Sequence, residues 1–188
     1  MLKKQINDES INSFNVHSDY LPNKLWTGTI EDIETPKVRV DTSVIAIMKI
    51  DSSTYNVFRH FYNLKSTELT NNDLEKIETV LLRFTEEYNS EQEKRYEETK
   101  AKIAAKYLNS EIDKTHFIID LNQYKRQYYA ITNEKREKEV WINCFCDSWG
   151  RNWREELILV LDGGNCYFNL KINLKTEQYY DVIVNGYA

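Results

Sequence analysis

The sequence predicts an α+β domain, with a strand and helices first and then a curved antiparallel β-meander of about four to five strands. Three observations predict it. Leu74, Ile77, Leu81, Phe84 and Tyr88 fall three or four residues apart, which places one apolar stripe on a helix. From Phe117 onward the apolar period falls to two, the period of a half-buried strand. The later runs are joined by short polar turns, and short connections require antiparallel neighbours.

Composition sets the outer bounds. With 188 residues, 41% hydrophobic and 29% charged, the chain is long and apolar enough to fold without a disulfide or a metal. Gly 5 and Pro 2 exclude collagen-like and linker-rich designs. A net charge of -5 argues against a general binder of phosphate backbones.

Residues 1–36 read as a polar N-terminal arm, punctuated by Pro22 and Pro36, with Leu21, Leu25, Trp26 and Ile30 able to staple it to the body. Residues 37–188 read as a single domain. A strand is expected over about 37–49, since Lys37 to Val40 alternates and Val44 to Met48 is continuously apolar. Asp51-Ser52-Ser53 offers an N-cap for a helix over about 54–64, which carries Tyr55, Phe58, Phe61 and Tyr62. The striped helix covers about 72–88. Asn89-Ser90 interrupts it, and Ser90 with Glu93 forms a capping-box signature for another helix over about 91–108. Residues 91–100 are thinly apolar and read as a solvated helix face, with a partner-binding face as the alternative.

Strands are expected over about 123–131, 138–146, 155–161, 166–173 and 178–185. The first two flank a polar turn at Asn133–Arg136. Asp162-Gly163-Gly164-Asn165 is the strongest turn signal, because two glycines allow positive φ. In the last strand Tyr180, Val182 and Val184 are expected to face inward.

Lys3 and Lys4 are not followed by the apolar run of a signal peptide, and Val44–Met48 falls far short of the roughly 20 residues that span a bilayer. Cys144, Cys146 and Cys166 are odd in number and clustered, a poor disulfide framework. Reduced thiols in a cytoplasm are the simplest reading. The alternative is a periplasmic or envelope location with a signal removed, for which a Cys146–Cys166 bridge is the expected mark.

No catalytic residue, metal or cofactor is assigned. Cys144 and Cys146 share a strand face with Val140 and Ile142 and read first as small core residues. Three thiolates hold zinc only if a histidine joins them, and His17, His60 and His116 have no useful spacing to them. Gly163-Gly164 sits between strands, outside the strand-loop-helix context of a phosphate cradle.

The candidate binding residues are Trp149, Arg151, Trp153 and Arg154, within Asp147–Arg154, together with Arg126. Trp and Arg are enriched at binding hot spots. In the alternative, both indoles fold back over the sheet edge with arginine stacked on them. Over 123–154, seven basic residues (Lys125, Arg126, Lys135, Arg136, Lys138, Arg151, Arg154) face four acidic ones (Glu134, Glu137, Glu139, Asp147), a balance of +3; residues after 154 balance to -3. A two-sided charge suits an oriented protein partner. Basic charge interleaved with Tyr124, Tyr128 and Tyr129 also suits single-stranded nucleic acid, but the overall negative charge opposes it.

Tyr124-Lys125-Arg126-Gln127-Tyr128, Val140-Trp141-Ile142-Asn143-Cys144-Phe145-Cys146, Asp162-Gly163-Gly164-Asn165-Cys166-Tyr167-Phe168, and Tyr180 with Val184-Asn185-Gly186 form a pattern that resembles a group of uncharacterised bacterial proteins. More loosely, a helix followed by a curved meander looks like the cystatin-like and NTF2-like α+β folds. That fold group includes ligand-binding cones, a few enzymes and immunity proteins that neutralise toxins, and fold analogy alone is a weak warrant for function.

The expected function is that of a non-enzymatic protein-binding domain of a bacterium, of the immunity or inhibitor type. One alternative is a small-molecule-binding or enzymatic NTF2-like protein with a pocket between helices and sheet. The other is a structural protein of the cell envelope.

Overall fold

The computed structural model describes residues 38–50, 65–107 and 111–186. The expected arm over 1–36 and the expected helix over 54–64 lie outside the described residues. One long helix, α1 (Asn71–Lys106), packs on a six-stranded mixed sheet. The strands are β1 (Ile45–Met48), β2 (Lys65–Ser66), β3 (Lys125–Thr132), β4 (Lys138–Phe145), β5 (Tyr167–Asn173) and β6 (Gln178–Val184).

The meander β3-β4-β5-β6 is antiparallel throughout, as the short turns require. The sheet as a whole is mixed, because β1 runs parallel to β3 with Ile45 opposite Arg126 and Met48 opposite Tyr129. The long connection through α1 makes that parallel pairing possible. The short β2 pairs antiparallel with the far end of the same strand. The strand expected over 37–49 is confined to Ile45–Met48, because Asp41 caps a 3-10 turn over Thr42–Val44 by accepting from the Ser43 amide at 2.9 Å.

The helices expected over 72–88 and 91–108 are one continuous helix of 36 residues. Thr70 is its N-cap and forms a capping box with Asp73, whose carboxylate also takes Lys138 of β4 at 2.5 Å. Asn89 does not stop the helix, because its side chain turns outward. It accepts from the Ile119 amide and donates to the Ile119 carbonyl, each at 2.8 Å. Glu93 pairs with Lys114 at 2.9 Å, and the run Glu91 to Arg95 consists of strong helix formers.

The helix-facing side of the sheet holds the main core. Tyr128, Ile142 and Leu170 lie side by side across β3, β4 and β5, and Ala130, Val140 and Ile172 form the next row. Leu74, Ile77, Leu81 and Phe84 of α1 cover them. Phe84 meets Phe168 at 5.5 Å and Tyr179 at 5.4 Å between ring centroids. In β6 the inward residues are Tyr179, Val182 and Val184 rather than Tyr180, Val182 and Val184. Asp181 adopts φ +50 at an irregularity in the β5–β6 register, and the irregularity shifts the alternation by one residue.

One charged group crosses this apolar layer. Glu78 of α1 accepts from the Tyr128 hydroxyl and lies 3.5 Å from Arg126 Nη1, and Arg126 Nη2 donates to the Leu121 carbonyl at 3.0 Å. All three side chains are buried. Burial, and then the Glu78 charge, push the Tyr128 hydroxyl well above the ordinary tyrosine range, so it stays a proton donor. Removing one partner of such a pair leaves an uncompensated interior charge. Arg126→Met is expected to lose about 3–5 kcal/mol in urea unfolding, and Arg126→Met with Glu78→Leu to recover most of that loss. Additive losses in that cycle would show that the two residues do not act as a pair.

Candidate interaction surface

One end of the opposite face of the sheet, at Gln127, Asn143, Phe145 and Tyr167, is covered by the chain between β4 and β5. The last β4–β5 pair is Phe145 with Tyr167. Beyond it the Cys146 amide donates to the Cys166 carbonyl at 3.0 Å, and a disulfide joins the same two residues across a sequence separation of 20. The reading of three reduced core thiols is therefore corrected. β4 ends at Phe145, so Cys146 leaves the strand and reaches Cys166, whereas Cys144 remains buried toward α1. Burial drives the Cys144 thiol far above the ordinary range, which keeps it out of thiolate chemistry.

The expected strand over 155–161 begins instead in a turn, where the Glu155 and Glu156 amides donate to the Asn152 carbonyl at 3.0 and 2.8 Å, and residues 157–160 pair with no strand among the described residues. The backbone over 153–160 is held by side-chain amides. Gln127 of β3 donates to the carbonyls of Trp153 at 2.6 Å and Glu156 at 2.7 Å, and accepts from the Ile158 amide at 3.0 Å. Asn143 of β4 donates to Gln127 Oε1 at 3.1 Å and to the Ile158 carbonyl at 2.6 Å. Asn185 donates to the carbonyls of Val160 at 2.7 Å and Asp162 at 2.8 Å. Ile158 sits at the centre of a second small core with Phe145 and Tyr167, flanked by Trp153 and Val160.

The five candidate residues separate under this geometry. Arg126 is 5% exposed and belongs to the interior trio with Glu78 and Tyr128. Trp153 packs edge-on against Phe145 at 6.1 Å, with the Arg154 guanidinium 4.3 Å and the Lys125 ammonium 5.4 Å from its ring centre. Arg154 also donates to the Ile45 carbonyl at 2.9 Å and to the Ser43 carbonyl, tying the loop to β1. Arg151 pairs with Glu156 at 3.2 Å and donates to the Leu157 carbonyl at 2.9 Å. Trp149 is 70% exposed.

Trp149 is held in that position. It adopts φ +53 and Gly150 adopts φ +72, so two successive residues are left-handed. A bulky side chain in that region carries strain on the order of 1–3 kcal/mol. The Trp149 amide donates to Asp147 Oδ1 at 2.8 Å, and the indole N–H donates to the Tyr167 hydroxyl at 2.5 Å. The Tyr167 hydroxyl is raised above the ordinary range by burial, against the lowering effect of Trp149, with the Asp147 and Asp162 charges adding to the rise. Leu161, next to Asp162, is 97% exposed. Asp147, Leu161, Asp162 and Tyr167 were not singled out by spacing. The Asp162-Gly163-Gly164 turn is the sequence signal closest to them.

The +3 balance over 123–154 does not translate into a basic patch around Trp149. Arg126 is interior, Lys138 pairs with Asp73, Arg151 with Glu156, and Arg154 with backbone carbonyls. Near the Trp149–Tyr167 pair the charges that act are the carboxylates of Asp147 and Asp162.

A recess of about 440 Å³ lies between residues 38–42 and the first turn of α1, lined by Arg39, Leu74 and Glu75. His116 is exposed on a 3-10 turn (Lys114–His116), apart from it. Among the described residues, no group of three or more His, Cys, Asp or Glu converges as a metal site, and no helix is long and apolar enough to cross a membrane. No family model matches the chain, and neither does any curated protein or solved structure.

Gly163 positions the tyrosine that anchors Trp149. It adopts φ +86, and a Cβ there would stand 2.7 Å from Tyr167 Cε2. Gly163→Ala is expected to cost roughly 1–2 kcal/mol of stability, from the left-handed backbone alone, and to displace the Tyr167 ring. Thermal unfolding together with the indole N–H resonance of Trp149 checks both effects. Reduction of the disulfide is expected to cost about 2–4 kcal/mol. Non-reducing peptide mapping should recover Cys146 linked to Cys166, with Cys144 alkylated only after denaturation.

Proposed function

We propose that this chain is a non-enzymatic protein-binding domain of the immunity or inhibitor type, with the loop between Cys146 and Cys166 as its contact surface. The observation that carries the reading is the exposed Trp149 indole, held at positive φ on a loop whose base is rigid. A solvent-facing indole anchored through its own N–H is a preformed anchor of the kind found at interface hot spots, with little ordering cost left on binding. The buried ionisable groups support the non-enzymatic part, since Glu78, Arg126 and Tyr128 are engaged with one another beneath α1. A bacterial source, and kinship to cystatin-like or NTF2-like domains, belong to the same proposal and rest on the sequence pattern and on the order of one helix before an antiparallel meander.

The disulfide favours one adjustment to this reading. Disulfides persist in oxidising compartments, so the Cys146–Cys166 bond supports a periplasmic or envelope location over the cytoplasm. The binding reading is unaffected by that choice.

The test compares the wild-type chain with Trp149→Ala and Trp153→Ala as baits. Trp149→Ala is expected to stay within about 1 kcal/mol of wild-type stability and to lose a stoichiometric partner at least tenfold in affinity. Trp153→Ala is expected to lose several kcal/mol, because that ring packs on Phe145. A partner bound equally by wild type and Trp149→Ala would remove the loop from the function.

A further inference from the structure

We infer that the Trp149 indole, together with the Asp147 carboxylate that holds its backbone and the Asp162 carboxylate on the chain leading to Tyr167, is a receptor for an arginine or lysine side chain that projects from the partner protein. The inference deepens the protein-binding reading and rests on it.

The first support is which part of the ring is on offer. The N–H edge of Trp149 is satisfied by the Tyr167 hydroxyl, so the ring presents its π surface to a ligand. That surface attracts cations, and indole does so better than the other aromatic rings. The same loop shows the chemistry at work, since Arg154 stacks 4.3 Å from the centre of Trp153 with Lys125 at 5.4 Å. Trp153 thus has cations of its own chain, whereas among the described residues no lysine or arginine is stacked on Trp149.

The second support is charge. Asp147 is fixed at the base of the indole by its bond from the Trp149 amide, 2.8 Å long. Asp162 is fixed by its place before Gly163, which lies directly against the Tyr167 ring, and by its carbonyl, which accepts from Asn185. Both carboxylates act on the Tyr167 hydroxyl to which Trp149 is bonded. Among the described residues neither forms an ion pair with a lysine or arginine, because Arg151 and Arg154, the basic residues of this loop, are committed to Glu156 and to backbone carbonyls. An exposed aromatic face with the Asp147 carboxylate held at its backbone, and a second carboxylate on the chain that meets the Tyr167 ring, repels phosphate backbones and anionic bilayers and complements a cationic side chain on an aliphatic stem. Leu161, next to Asp162 in the chain, is exposed apolar surface on the same connection between β4 and β5.

The experiment uses the oxidised full chain and three acetylated, amidated hexapeptides: hexa-arginine, hexa-glutamate and a neutral serine-leucine repeat. The readout is the indole N–H resonance of Trp149, assigned by its disappearance in Trp149→Phe. The expected result is a saturable shift of that resonance with hexa-arginine alone, weakened about three- to tenfold in Asp147→Asn/Asp162→Asn and by rising salt. Asn at position 147 retains an oxygen for the Trp149 amide, and the backbone amide spectrum shows whether the loop is intact. If the double variant disturbs that spectrum, Asp162→Asn alone carries the comparison, with a smaller loss expected. A shift with the neutral peptide equal to that with hexa-arginine would overturn the cationic assignment and leave the loop as a contact surface. No Trp149 shift with hexa-arginine, or an unchanged affinity in the carboxamide variants, would also overturn it. The protein-binding reading itself stands or falls separately, on the stoichiometric partner and Trp149→Ala.

Discussion

Two side-chain amides, Gln127 and Asn143, hold the second face of this sheet together. They sit opposite each other on β3 and β4, away from the helix, and both are buried. A buried amide without partners is costly, and here every partner comes from the other amide or from the backbone of the crossing chain. The constraint is mutual. The amides need the segment over 153–158 for satisfaction, and that segment, which has no strand neighbour among the described residues, needs the amides. Because of that exchange the 147–165 region is a fixed layer rather than a loose flap. The disulfide and the Arg154 contacts to the β1 end then close its two sides.

A rigid base changes the meaning of an exposed tryptophan. On a mobile loop, a solvent-facing indole would have to be ordered on binding and would lose affinity to that cost. Here the indole is tethered at its N–H, its backbone is held at positive φ, and the tyrosine beneath it is seated on a glycine that tolerates no side chain. The strain is local, and the packed face below sustains it. The two faces of the sheet therefore divide the work. The helix side supplies cooperativity through Phe84 and the Glu78–Arg126–Tyr128 trio, and the loop side supplies presentation.

Much of the framework was legible because it rests on periodicity. The stripe from Leu74 to Tyr88 located the start of α1, and the alternation after Phe117 yielded the β3-β4-β5-β6 meander within a residue or two of its strand bounds. What failed had a specific cause each time. Asn89-Ser90 looked like a helix break, but Asn89 uses its amide to hold Ile119, and the helix runs on. The run Leu157–Leu161 is continuously apolar, as a buried strand can be, and Ile158 and Val160 do pack inward, but the hydrogen bonds of Ile158 and Val160 go to side chains, which no pattern reveals. Asp181 slips the β6 alternation through a bulge. Among the candidate binding residues, Arg126 was read as a surface cation because arginine on a strand usually is one, and its partner Glu78 lies 48 positions earlier. Cysteine parity misled for a related reason, since one buried thiol hid a pair. The Trp-Arg loop, Asp147 included, was visible as composition and Asp162 as part of a turn, but that they belong to one site was not, because the chain returns from Asp162 to Tyr167 to meet Trp149.

The central claim is that Trp149 and its neighbours form a preformed contact surface, and hydroxyl-radical footprinting of the free and the partner-bound protein tests it most directly. In the free chain Trp149 and Leu161 should oxidise fast while Trp141 and Trp153 oxidise slowly, and the complex should protect Trp149 and Leu161 without changing the residues of α1. Slow oxidation of Trp149 in the free protein, or protection confined to α1 or β6 in the complex, would contradict the account.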